Sequence, residues 1–158
     1  IVATTLLMGM AFTHQAVAAI ALDRTRVIFN GAEKSISLNV SNQNKDLPYL
    51  AQGWMENENG ERIESPLIVL PPIQRIEPGD KSQIKVQSLP DIAKLPQDRE
   101  SVFYFNLREI PPRSNKPNVL QIALQTRIKL FYRPASIYAS QTDLTNPWQE
   151  HHQMKMQY

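Results

Sequence analysis

The sequence predicts an all-β sandwich of about seven strands, and three observations carry that prediction. Apolar residues recur at every second position in several short runs, such as Ile36, Leu38 and Val40, or Ile84 and Val86, which is the spacing of a half-buried strand. No segment shows a convincing helical period. Turn chemistry separates the runs at intervals of about ten residues, the spacing expected of a sandwich. The 12 prolines, set against 5 glycines, suit stiff turns between short strands.

Taken in order, Ile20 to Phe29 reads as one β-rich run ended by Asn30-Gly31, a strong turn signal. Lys34 to Asn42 alternates apolar and polar residues, and a polar turn from Asn42 to Asp46 leads into Leu47 to Glu56. Asn57-Glu58-Asn59-Gly60 turns the chain again. Leu67 to Leu70 is cut by Pro71-Pro72; proline cannot donate to a ladder, so this piece reads as an edge strand or one that switches sheets. Ile73 to Ile76 and Ser82 to Gln87 follow on either side of Glu77-Pro78-Gly79-Asp80. Leu89 to Asp98 reads as a loop, Ser101 to Ile110 as an aromatic strand, and Val119 to Tyr132 as the longest and last strand.

Residues 19–134 are close in length to the roughly 100 residues of an immunoglobulin-like sandwich. Ahead of them, Ile1 to Phe12 is apolar, and Thr13-His14-Gln15 leads to Ala16-Val17-Ala18. An apolar stretch of this length before Ala-x-Ala reads as a secretory signal cleaved after Ala18, and it is too short to span a bilayer. No initiator Met or basic segment stands before it, so residues 1–18 read as a partial signal peptide. Residues 135–158 are polar, and read as the truncated start of a second domain or a disordered tail.

The charge balance is nearly even, 17 basic against 15 acidic side chains, with no basic run of five or more, which argues against a nucleic-acid partner. The absence of cysteine excludes disulfides, thiolate metal sites and cysteine nucleophiles. The three histidines are His14, in the signal, and His151 and His152, in the tail, so no Ser-His-Asp arrangement can be built inside the domain. No phosphate loop, dinucleotide fingerprint or nucleophile elbow is present. Glu56 and Glu58 read as solvent-facing turn carboxylates. Tyr104 and Phe105 beside Arg108 read as a stripe that is core on one side and surface on the other, the alternative being a stacking platform. By elimination the binding-module class stands ahead of the enzyme class, and no cofactor, metal or small-molecule substrate is expected, adjacent His151 and His152 reading as solvated tail residues rather than metal ligands.

Leu95 to Pro111, L-P-Q-D-R-E-S-V-F-Y-F-N-L-R-E-I-P, resembles the signature of the periplasmic pilus-assembly chaperones of the P-pilus type. The likeness extends to Leu22-Asp23-Arg24-Thr25-Arg26, to Leu47-Pro48-Tyr49-Leu50-Ala51-Gln52 and to Asn118 through Pro134, and so covers residues 19–134. It implies a protein of two immunoglobulin-like lobes that lends its last strand to an incomplete pilin subunit, by donor-strand complementation, and delivers the subunit to an outer-membrane usher. Leu120, Ile122 and Leu124 would then fill the subunit groove, although spacing alone favours a strand facing its own core. The resemblance makes Arg26 and Lys129 the anchor for the pilin's C-terminal carboxylate, and Glu100 and Arg133 members of an ion-pair network between lobes. The second lobe is represented only by a likeness around Asn146-Pro147-Trp148-Gln149. Two other readings stay open: an immunoglobulin-like structural or adhesive module, and a non-functional remnant of a chaperone. Exposed donor strands would also favour self-association of free copies.

Overall fold

Among the described residues ten strands form two sheets, more than the seven or so expected: the first run is split in two and a short strand at Arg62–Ile63 was not foreseen. The computed structural model describes residues 17–113 and 122–137. The strands are β1 Ile20–Leu22, β2 Arg26–Asn30, β3 Ser35–Asn42, β4 Tyr49–Glu56, β5 Arg62–Ile63, β6 Leu67–Leu70, β7 Ile73–Ile76, β8 Lys81–Ser88, β9 Ser101–Ile110 and β10 Gln125–Arg133. One sheet has the order β1-β3-β8-β6; the other runs β2-β10-β9-β4-β5, with β7 also paired to β4. All pairs are antiparallel except β2 with β10.

The period-two pattern places the core. Leu38 and Val40 of β3, Ile84 and Val86 of β8, and Leu67 and Val69 of β6 are buried from one sheet. Val27 and Phe29 of β2, Phe103, Phe105 and Leu107 of β9, and Leu130 and Tyr132 of β10 meet them from the other. Each fully buried Leu, Val or Phe contributes about 1.5–3 kcal/mol by leaving water. Gly31 just after β2 is demanded by space: a Cβ there would stand 2.8 Å from the Tyr132 hydroxyl and 2.9 Å from the Arg133 carbonyl oxygen. That close approach lets the Gly31 N–H donate to the Arg133 carbonyl at 2.7 Å and closes the β2–β10 pairing.

Four sequence expectations need correction. Ile20 to Phe29 is two strands in opposite sheets. The break is a polar corner: the Asp23 N–H donates to the Asn39 carbonyl at 3.1 Å, Asn39 Nδ2 donates to Asp23 Oδ2 at 3.2 Å, and Arg24 Nε donates to Asp23 Oδ1 at 2.9 Å. The last strand begins at Gln125 among the described residues, with Val119 to Gln121 outside them. Its partner β9 ends at Ile110, and the Pro111-Pro112 that follows offers no N–H to extend the ladder. Glu56 belongs to β4 and not to a turn, and Leu89 to Asp98 contains a short 3-10 turn, Pro90–Lys94. The proline-cut segment does both things expected of it: β6 is the edge of one sheet and β7 pairs in the other.

Leu130 is fully buried and Ile28 is 39% exposed on the outer face. Leu130→Ala is therefore expected to lower unfolding free energy by about 2–5 kcal/mol, and Ile28→Ala by about 0.5 kcal/mol or less. Urea denaturation of the two variants measures the contrast, and equal losses would refute this placement of the core. Asp23 is held below the usual carboxylate range, first by its hydrogen bond from Arg24, then by that residue's charge and by Asn39, against an opposing effect of burial. A depressed carboxyl stabilises the fold at neutral pH, and the contribution fades as pH falls through its folded-state pKa. An NMR titration should show the Asp23 midpoint moving up in Arg24→Ala; an unmoved midpoint would show that the corner is not held by this pair.

Candidate functional site

β10 has unequal flanks. On one side β9 pairs with it from Gln125↔Arg108 to Tyr132↔Ser101. On the other, β2 pairs with it only from Lys129↔Arg26 to Arg133↔Asn30. Residues 125–128 therefore have one flank without a strand partner among the described residues. Such a flank presents unpaired N–H and C=O groups, a template for another strand.

The face of this edge is set by alternation. Leu130 and Tyr132 are buried and Ile128 is half-buried, while Gln125, Arg127 and Lys129 are exposed. Leu124 and Ile122 share the parity of the inward residues; Leu124 is half-buried and Ile122 is 57% exposed. Leu120 lies outside the described residues. The inward face of β10 thus continues in apolar residues past the end of the sandwich's own cover.

Arg26 and Lys129 are directly opposite one another in the parallel ladder and both are exposed. They sit where β2 begins and the uncovered flank of β10 ends. No carboxylate among the described residues forms an ion pair with either. Two cations side by side on one face, without a local counter-charge, suit a planar carboxylate that both can approach. At the other end of β10, Arg133 Nε donates to Glu100 Oε1 at 2.7 Å, with both side chains largely covered. This pair ties the start of β9 to the end of β10.

The outer face of the same sheet carries contacts that pattern reading missed. Phe105 is core, and Tyr104 faces outward as expected, but its cation is Arg127, 3.8 Å from the ring centroid, and not Arg108. Arg108 and Arg62 instead lie over Trp54 at 5.8 and 5.4 Å. Glu56 accepts from Trp54 Nε1 and from Arg127 Nε, each at 3.1 Å. Apart from Trp54 and Glu56, which are two residues apart on β4, these partners stand on different strands, so the register brings them together. Buried Glu109, on the inner face of β9, was equally invisible, because it interrupts an otherwise apolar alternation. His14, His151 and His152 lie outside the described residues, and among those described no cluster of metal-ligating side chains occurs.

Comparison with known proteins places this architecture. A family model described as pili and flagellar-assembly chaperone, PapD N-terminal domain, matches residues 19–138. The chaperone protein PapD of Escherichia coli is 63% identical over 134 residues, covering 84% of this chain and 55% of that protein. The probable fimbrial chaperone YfcS of Escherichia coli strain K12 is 57% identical over 146 residues, covering 92% of this chain and 58% of that protein. The chain thus spans a little over half the length of these curated relatives. Among solved structures, the periplasmic chaperone SfaE superposes with a TM-score of 0.65 at 33% identity, over 73% of this chain and 57% of that one. A chain of the Salmonella enterica complex of SafA pilin with the SafB chaperone superposes with a TM-score of 0.63 at 26% identity, over 77% of this chain and 57% of that one.

Proposed function

The chain belongs to the family of pili and flagellar-assembly chaperones, and from that membership we propose that it binds and stabilises pilin subunits in the periplasm by donor-strand complementation and hands them to an outer-membrane usher. The observation that carries the reading is the half-covered β10, whose apolar inward face runs on into Ile122 and ends at a basic pair.

A pilin that lacks its last strand exposes a groove of apolar side chains flanked by unpaired backbone groups. A strand laid against it supplies both kinds of partner at once. Here the uncovered flank at residues 125–128, and the segment before it, offer the backbone groups. Leu120, Ile122 and Leu124 supply the apolar side chains, each contributing about 1.5–3 kcal/mol when fully buried. Arg26 and Lys129 grip the subunit's C-terminal carboxylate, and each charge-assisted hydrogen bond contributes about 1.5–3 kcal/mol. The anchor also fixes register; a slip of one residue would turn all three apolar side chains away from the groove. Glu100 and Arg133 hold the end of β10 where a second lobe would follow, in keeping with a role at the junction of two lobes.

The anchor is tested by titrating residues 19–158 with a peptide copying a pilin C-terminus, as free acid and as amide. The acid should bind about tenfold more tightly or better, and Arg26→Ala and Lys129→Ala should each erase the difference. Both residues are exposed, so thermal unfolding should hardly move. Equal binding of acid and amide by the folded parent would remove the anchor. The donor assignment is tested with Ile122→Asp, at a position exposed enough to spare the fold. Capture of a pilin subunit should fall by about tenfold or more, since a desolvated carboxylate replaces an apolar plug; undiminished capture would show that Ile122 does not enter the subunit.

A further inference from the structure

Leu124 stands where the ladder between β9 and β10 stops. Its opposite residue is Glu109, one residue before the end of β9. The Glu109 N–H donates to the Leu124 carbonyl at 3.1 Å. In a regular antiparallel pair the return bond would run from the Leu124 N–H to the Glu109 carbonyl. Here the Leu124 N–H donates instead to the Glu109 side chain, at Oε1, 3.2 Å away. The other carboxylate oxygen, Oε2, accepts the N–H of Ile20 at 2.9 Å. Ile20 is the first residue of β1, in the opposite sheet.

The Glu109 side chain is buried, with the residue only 4% exposed. It occupies an inward position in a strand whose other inward residues are Phe103, Phe105 and Leu107. With Ala19, Tyr49, Ile122 and Leu124 it lines a cavity of about 340 Å³ at this end of the sandwich. A carboxylate is costly in such a place unless its oxygens are satisfied. Both of its incoming partners are N–H donors, so both of its oxygens must accept. A carboxylate does this; the amide of glutamine would set an NH2 group against one of the donors.

Taking Leu120, Ile122 and Leu124 as the donor segment, we infer that Glu109 is its positioning residue: one buried carboxylate fastens the root of that segment and the start of β1 to the end of β9. The chain after β9 has no backbone N–H to donate for this at two successive positions, because Pro111 and Pro112 follow Ile110. With Leu124 fixed through both its N–H and its carbonyl, Ile122 leaves the domain at one height and on one face. A loosened root would let the segment twist, and its apolar residues would reach the groove out of register.

The test compares the parent with Glu109→Gln, using the full chain purified after export. Three quantities are read: amide hydrogen exchange at Leu124 relative to Leu130, uptake of a recombinant pilin subunit, and affinity for the free-acid C-terminal pilin peptide. Loss of one hydrogen bond to a charged group predicts exchange at Leu124 faster by about tenfold or more, with subunit affinity reduced by a similar factor. The peptide, which needs only Arg26 and Lys129, should bind as before. Unchanged exchange and uptake in the variant overturn the inference. So does a parallel rise in exchange at Leu124 and Leu130 with both affinities falling together, since that is a general loss of fold. A parent that takes up no subunit sinks the donor reading itself, and the failure is told apart because it lies in the parent and not in the variant. If Glu109→Gln does not fold, Glu109→Asp keeps both acceptors on a shorter stem: freed Leu124 exchange with weakened uptake supports the inference, and no change in either overturns it.

Discussion

The corner at Asp23 and Arg24 decides what the rest of the domain can do. In the parallel register, Arg26 faces Lys129, and a straight continuation of β2 towards its N-terminus would bring Leu22 beside Gln125. That continuation would cover residues 125–128 and leave β10 without a usable flank. The chain instead turns at Asp23, where the carboxylate is bound by Arg24 and Asn39, and Ile20–Leu22 pairs with β3 in the other sheet. One polar corner both supplies a strand to the smaller sheet and exposes part of the larger one. The surface pair alone is worth little. Its consequence is topological, since it sets where β2 begins.

An uncovered strand flank is a liability as well as an opportunity, because any chain can add to it. Here the outward side chains beside the uncovered stretch are Gln125, Arg127 and Lys129, polar or cationic and exposed. A second copy approaching this edge brings the same cations with it. A strand that ends in a carboxylate brings their counter-charge. Backbone pairing, which is blind to sequence, thereby acquires a preference from the side chains around it. Arg127 is steadied meanwhile by Glu56 and by the Tyr104 ring, so the row stays ordered without neutralising Lys129.

Much of the fold was legible because two-residue periodicity and turn chemistry are local. β3, β8 and β9 lie close to where alternation puts them, and β9 matches its predicted bounds at Ser101 and Ile110. The split of Ile20 to Phe29 was not legible. Both halves are apolar and extended, and only the distant Asn39 reveals the corner. The start of β10 was misjudged for a related reason: Ile122 and Leu124 continue the alternation, but a ladder also needs a partner, and β9 ends at Ile110, just ahead of Pro111. At the site, resemblance pointed to Arg26 and Lys129, and the parallel register sets the two opposite one another. Glu109 escaped because a lone acidic residue near a strand end reads as solvated. Its burial depends on β1 crossing from the other sheet, which no local pattern encodes.

In the proposed function, the two fixed points on β10 act together as a ruler. Lys129 lies at the basic pair, and Leu124 is bonded at both backbone groups to Glu109. At about 3.3 Å per residue the five steps between them span roughly 17 Å. A subunit whose carboxylate sits at Arg26 and Lys129 must present its apolar groove from that distance onward, on the side that Leu124 and Ile122 face. Backbone pairing alone would accept many registers, and apolar side chains alone would accept many grooves. A charge held at one end and a carboxylate clamp at the other leave one register in which both are satisfied, so selectivity rests on length and parity more than on the identity of any single contact.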